Sequence, residues 1–307
     1  MRRTRMTTEP TASARFMDPK ILGRIDNLEL LARTVVEGFI SGLHRSPYLG
    51  RSVDFAEHRA YMPGDDIRRI DWRLFARADR FYVKEFEADT NTSFTLILDL
   101  SRSMTFGSRG ITKLDYARYL AACLAYFSHK QRDRVGLVTF DEEIVDFVPP
   151  SAKHLEAVLH KIDRMKPGRR GALGPPLAKV AEAIRRRGIM VLISDFYEEP
   201  EAVLDAVKVL RYKGNDLIVF HVLDPAEIEF PFDEVANYQD LETEEAIPVI
   251  PEYLREQYRK LVAEHIDRLS RWLGDNRIDY TLFDTSTPLD YALFSYLSNR
   301  QRLSRVR

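Results

Sequence analysis

Apolar side chains fall in short unbroken runs through the middle of the chain, with helical spacing between the runs. FTLIL, Phe94 to Leu98, and IMVLI, Ile189 to Ile193, are too apolar for solvated loops. Runs of this length predict strands covered on both faces, as in a parallel sheet. Further strands are predicted over 133–140, 217–222 and 278–283, with a short edge strand over 143–148 before Pro149 and Pro150. Between them the period changes to 3.6. Leu114, Ala117, Ala121, Leu124 and Ser128 share one helix face, flanked by Leu120 and Phe127. Helices are also predicted over 153–165, 177–187, 202–210, 253–273 and 289–297, the last followed by the basic tail RQRLSRVR. Strands and helices alternating at this length favour an α/β fold with a doubly wound, mostly parallel sheet.

The N-terminal third has a different pattern. Residues through Pro19 are polar and basic; Leu28, Leu31, Ala32, Val35 and Phe39 then predict a helix over 27–41. Stretch 53–87 mixes charge with Tyr61, Ile67, Ile70, Trp72, Leu74 and Phe75, and Pro63-Gly64-Asp65-Asp66 punctuates it as a turn. It reads as a small appended subdomain in which Arg59, Asp65, Asp66, Arg68, Asp71 and Arg77 form a polar network around Trp72, since buried charges need partners. The expected division is 1–89 for the helix and appended subdomain and 90–307 for the sheet domain.

Composition narrows the function. Lys plus Arg number 46 against 47 Asp plus Glu, a balance that does not favour a nucleic-acid binder. Arg68, Arg69, Arg73, Arg77 and Arg80 lie among Asp65, Asp66, Asp71 and Asp79, so no nucleic-acid partner is expected. The single cysteine, Cys123, sits in a helical pattern and reads as core. No apolar stretch reaches membrane-span length and the first residues lack a secretory segment, so the expectation is a cytoplasmic protein without membrane insertion.

Chemistry concentrates where the first central run ends. Asp99 follows it, with Ser101 and Ser103 two residues apart, and Asp195 follows the second run. In an open α/β sheet the strands' carboxyl ends are where ligands bind, so both carboxylates are expected at one edge. The glycines at 107–110 and 168–174 lack the spacing of a dinucleotide or phosphate loop. No histidine pair has metal-ligand spacing. The segment 227–252 carries nine acidic residues and no Lys or Arg, predicting a strongly negative face that is either merely solvated or steers a basic partner.

DLSRSM after an apolar strand resembles the Asp-x-Ser-x-Ser element of von Willebrand factor type A domains, and LISDF around Asp195 is similar to their later acidic metal-site loop. RAYMPGDDIRRIDWRLFARADRFYVKEFE resembles the diagnostic segment of the DUF58 family, whose members join such a segment to such a domain. Arg59, Tyr61, Pro63, Gly64, Asp65, Asp66, Arg68, Ile70, Asp71, Trp72, Ala76 and Arg77 carry that likeness in order. It covers about 50–196 well and the C-terminal third by fold pattern alone.

The resemblance implies a metal-ion-dependent adhesion site for Mg²⁺ or Mn²⁺. Ser101 and Ser103 would be direct ligands, Asp99 and Asp195 would bind directly or orient waters, and a partner's carboxylate would complete the shell. The threonine usual in the loop 166–176 is absent; Arg169, Arg170 and Gly171 stand there, with Gly171 at the lost position. Metal binding is therefore expected to be weak or partner-dependent; partner binding that required metal and Asp99, and that Gly171→Thr strengthened, would make this edge the functional surface. Alternatively, Asp99 and Asp195 bond local amides and hydroxyls or pair with Arg169. The resemblance further implies a non-enzymatic protein-interaction or assembly adaptor working with a MoxR-type AAA+ ATPase. The alternative is a metal-dependent hydrolase in which Asp99 and Asp195 position a cation and activated water.

Overall fold

The apolar runs become the middle of a six-stranded sheet in the computed structural model, which describes residues 19, 27–45, 58–60, 82–84, 92–184 and 186–305, with side chains at all but 41–45, 58–60, 82–84 and 298–305. Helix α1 (Leu28–Arg45) precedes two short antiparallel strands, β1 (His58–Ala60) and β2 (Tyr82–Lys84). After β3 (Ser93–Asp99) come a 3₁₀ turn (Arg102–Thr105), α2 (Lys113–Lys130), β4 (Arg134–Phe140), β5 (Ile144–Ser151), α3 (Leu155–Asp163), α4 (Gly174–Ala183) and β6 (Gly188–Ser194). Then follow α5 (Pro200–Tyr212), β7 (Asp216–Leu223), α6 (Pro225–Glu229), β8 (Ala236–Gln239), β9 (Ala246–Val249), α7 (Pro251–Asp275), β10 (Asp279–Asp284) and α8 (Leu289–Arg305).

The chain divides into two units, 1–38 with 92–307, and 39–91. Within the smaller unit β1 and β2 pair, with Arg59 opposite Val83. The other members of the expected polar network, Asp65, Asp66, Arg68, Asp71, Trp72 and Arg77, lie outside the described residues.

In the larger unit the strand order is β10-β7-β6-β3-β4-β5, with every pairing parallel except β4 with β5. This is a doubly wound, von Willebrand factor type A-like sheet. Winding proceeds from β3 outward to β5, then reverses, so the switch in direction falls between neighbours β3 and β6. Both are buried along their whole length because helices cover both faces. Ile97, Met190, Leu192, Leu217 and Val219 meet Leu177 and Val180 of α4, Val203 and Val207 of α5, and Leu269 and Leu273 of α7. On the opposite face Phe94 meets Tyr296 of α8, which also stacks edge-on with Phe127 of α2. Each such side chain contributes roughly 1.5–3 kcal/mol on leaving water, enough to hold these two strands at the centre.

Most predicted elements are present, with shifted ends. β5 continues through Pro149 and Pro150, where the sequence predicts a stop, because an edge strand has one side that needs no N–H donor. Gly136 permits this; a Cβ there would lie 2.8 Å from the backbone nitrogen of Pro150. α4 begins at Gly174 rather than 177, since Pro175 and Pro176 suit a first turn. α8 runs through the basic tail to Arg305, and α6 and the β8–β9 hairpin occupy the acidic segment expected to be one negative face. Cys123 is buried, as its pattern indicates. Among the described residues no helix is long and apolar enough to cross a membrane.

Candidate interaction site at the carboxyl edge of the sheet

Asp99 ends β3 and Asp195 directly follows β6, so the switch in winding brings the two carboxylates to one edge. Asp99 is 4% exposed and Asp195 2%. Asp99 Oδ1 accepts the Ser101 N–H at 2.8 Å, and its Oδ2 accepts Ser194 Oγ–H at 2.6 Å. Burial, together with the charge of Asp195, pushes the Asp99 carboxyl up to about 7 despite those bonds. Ser101 Oγ and Ser103 Oγ are 3.0 Å apart. That is the separation of neighbouring oxygens around an octahedral ion with bonds of about 2.1 Å.

A cation of the chain's own already sits beside Asp195. Lys113 Nζ donates to Asp195 Oδ2 and to Glu227 Oε1, each at 2.7 Å, and lies 4.5 Å from the Tyr197 ring centroid. Lys113 is fully buried. Burial alone would discharge the ammonium, but attraction to the two carboxylates outweighs it and raises its pKa. Burial acts the same way on Glu227, whose pKa is raised although Lys113 opposes the shift. Lys113 reaches this place because Thr112 and Asp115 form a capping box that starts α2 there, pointing the first residue's side chain back over the edge.

The altered loop is held by its backbone. Asp141 follows β4 and accepts the Arg169 N–H, the Gly168 N–H bonds Leu100 O, and the Arg102 N–H bonds Arg169 O. Neither arginine side chain enters the site. Arg169 points outward to Glu142 at 3.1 Å and Arg170 is exposed, so the expected pairing of Arg169 with Asp99 or Asp195 does not form. At Gly171 an added Cβ would lie 2.7 Å from Ser101 Cβ. A threonine at this position would therefore meet Ser101 in this conformation, and the loops would have to part to admit it. Gly171→Ala is expected to destabilise the chain by roughly 1–3 kcal/mol through this overlap, read as a lower urea midpoint; an unchanged midpoint would show that the two loops separate freely.

A further side chain at the edge comes from a distant segment. Glu242, between β8 and β9, accepts the Ser103 N–H on Oε1 and the Gly171 N–H on Oε2, both at 2.8 Å. Beside it Glu244 pairs with Arg102. The acidic segment is thus divided among specific contacts: Glu227 on Lys113, Glu242 on two amides, Glu244 on Arg102 and Asp233 on Arg255.

Sequence reading overlooks Asp141 and Asp224, although the criterion that finds Asp99, an apolar run ending in aspartate, fits both. Asp224 follows β7 and binds Ser108, the Ala226 N–H and Thr285. Lys113 has a weak signal: a cation in a helix's first turn opposes the macrodipole and needs a compensating reason. Glu242 has none. Among the described residues no group of three or more His, Cys, Asp or Glu side chains is placed to hold a metal. The hydroxyls of Ser101 and Ser103 have the spacing of neighbouring ligands, whereas Lys113 engages Asp195 and Gly171 adds no oxygen.

A family model described as "Protein of unknown function DUF58" matches residues 57–268. The chain is 29% identical over 258 residues to Uncharacterized protein Rv1480 of Mycobacterium tuberculosis, covering 81% of this chain and 80% of that one. It is equally similar to Uncharacterized protein Mb1516 of Mycobacterium bovis. Among solved structures, conserved hypothetical protein BatB from Bacteroides thetaiotaomicron aligns at 18% identity over 68% of this chain and 99% of that chain, with a TM-score of 0.47. The SpRpn10 VWA domain aligns at 11% identity over 66% of this chain and 94% of that chain, with a TM-score of 0.37.

Proposed function

We propose that this chain, which belongs to the DUF58 family, is a non-enzymatic interaction or assembly adaptor whose partner-binding surface is the carboxyl edge of the sheet, and that it works with a MoxR-type AAA+ ATPase. The observation that supports this reading is that two backbone amides at that edge, of Ser103 and Gly171, grip one carboxylate. Asp99 is held by Ser194 and Ser101, Asp195 by Lys113, and Asp141 by the loop it fixes, while two amides hold a carboxylate. A surface whose backbone donors already hold a carboxylate is suited to receive an acidic group from a partner.

Asp99, Ser101 and Ser103 would hold Mg²⁺ or Mn²⁺. The ion would supply a Lewis-acidic position for a partner's carboxylate. With Asp195 engaged by Lys113 and no hydroxyl at residue 171, its affinity for the isolated chain is expected to be weaker than about millimolar by titration calorimetry. Tight binding would show that Lys113 yields Asp195 to the metal. The functional test is association with a purified MoxR-type ATPase, expected to weaken when Ser101 and Ser103 are both changed to Ala. Association indifferent to both changes would place the interface elsewhere, and phosphoester hydrolysis abolished by Asp99→Asn would replace the adaptor with a hydrolase.

A further inference from the structure

The β8–β9 hairpin meets the edge through its tip. Asp240 Oδ1 accepts the N–H groups of Glu242 and Thr243, and the Glu244 N–H bonds Asp240 O, so the tip is stiffened from within. Glu244 takes a left-handed φ of 63°, completing the reversal. The first strand is anchored near its tip end by aromatic contacts: Phe230 lies 5.7 Å from Tyr238 of β8 and 4.7 Å from Tyr258 of α7, ring to ring. Arg255 adds bonds to the carbonyls of Phe230 and Phe232. The strands themselves are mostly exposed. The hairpin is thus anchored through Tyr238, and beyond it the tip meets the edge through the carboxylates of Glu242 and Glu244.

We propose that the Ser103 and Gly171 amides form a carboxylate-recognition cradle that the chain closes on itself with Glu242, and that an aspartate or glutamate side chain of a partner polypeptide takes Glu242's place. This rests on reading the edge as a partner-binding surface and names the chemistry it recognises. Two loops from different parts of the chain aim one N–H each at the two oxygens of one carboxylate, both at 2.8 Å. Gly171 suits that convergence, because a side chain there would collide with Ser101 before the amide came within reach. Backbone N–H donors neither titrate nor need a metal, so the cradle grips a carboxylate in the absence of divalent ions. Arg102, paired with Glu244 at the surface, becomes available to a second acidic group when the tip lifts.

Glu242 is tethered, so it competes as though present at about millimolar concentration. An isolated carboxylate cannot displace it, whereas a polypeptide with several contacts can. Removing Glu242 removes the competitor, and apparent affinity rises by the inverse of the open fraction.

The test uses the full chain and Glu242→Ala, titrated by fluorescence anisotropy with a labelled Glu/Ser repeat peptide and its Gln/Ser counterpart, with EDTA and with Mg²⁺. The expected result is that Glu242→Ala binds the Glu peptide about tenfold more tightly than the parent, also in EDTA, and discriminates against the Gln peptide. In amide spectra, the Ser103 and Gly171 signals should move upfield in Glu242→Ala and return on adding acetate. Equal affinity of parent and variant, equal affinity for both peptides, or amide signals indifferent to acetate would each overturn the proposal. If the peptide binds but the ATPase does not, the cradle stands and the ATPase partnership falls. If the ATPase binds parent and Glu242→Ala alike while the peptide binds neither, the cradle falls and the adaptor stands.

Discussion

Lys113→Met is expected to destabilise the folded chain by roughly 3–5 kcal/mol at neutral pH, because it leaves Asp195 and Glu227 facing one another without their cation. Methionine keeps most of the lysine's length, so packing changes little and the loss is electrostatic. Asp195→Asn together with Glu227→Gln should return most of the lost stability, because neutral amides need no counter-charge. Urea denaturation of the parent, the single variant and the triple variant separates these contributions. A single variant within about 1 kcal/mol of the parent would mean that water or an ion replaces the ammonium readily, and that Lys113 is not the cation holding this edge together.

The sheet was legible because buried parallel strands announce themselves. Phe94 to Leu98 and Ile189 to Ile193 cannot be solvated, and helix-period runs between them leave one economical arrangement. The edge position of Asp99 and Asp195 follows from strand direction alone. Shifted ends have local causes: prolines are permitted on an edge strand and in a helix's first turn, whereas the sequence reading treated them as stops.

The site was only half legible. Its strand-end residues are local in sequence, but the groups that satisfy them are not. Lys113 lies 82 residues from Asp195, and Glu242 lies 139 from Ser103. No periodicity records such partnerships. An acidic segment without Lys or Arg looks self-repelling in sequence, since the cations and amides that hold Glu227, Glu242 and Glu244 belong to α2, the 3₁₀ turn and the loop before α4. The Gly171 position shows the same limit. In sequence it is a lost hydroxyl; in the fold it is the clearance that lets one loop's amide approach another's side chain.

Asp99→Asn is expected to stabilise the chain at pH 8 by roughly 2–4 kcal/mol in EDTA, and to change its stability little near pH 4. Burial, with the charge of Asp195 beside it, pushes the folded Asp99 carboxyl up to about 7, against an ordinary value of 3.8. Between those values the folded state keeps a proton that the unfolded chain has released, so stability falls as pH rises through the interval. Below it both states are protonated, and the penalty is absent; above it both are ionised, and the penalty is complete. Asparagine retains an oxygen for the Ser101 N–H and presents an amide donor to Ser194 Oγ, which can accept instead of donate. The variant thus keeps the local bonds without placing a second anion near Asp195. Denaturation midpoints across pH 4–8 give the comparison, and a parent profile parallel to that of Asp99→Asn would assign the buried proton to another group. Repeating the pH 8 measurement with Mg²⁺ tests the same carboxylate as a ligand. An ion that binds ionised Asp99 should raise the parent's midpoint and leave the variant's unchanged, because the amide offers the ion no negative charge.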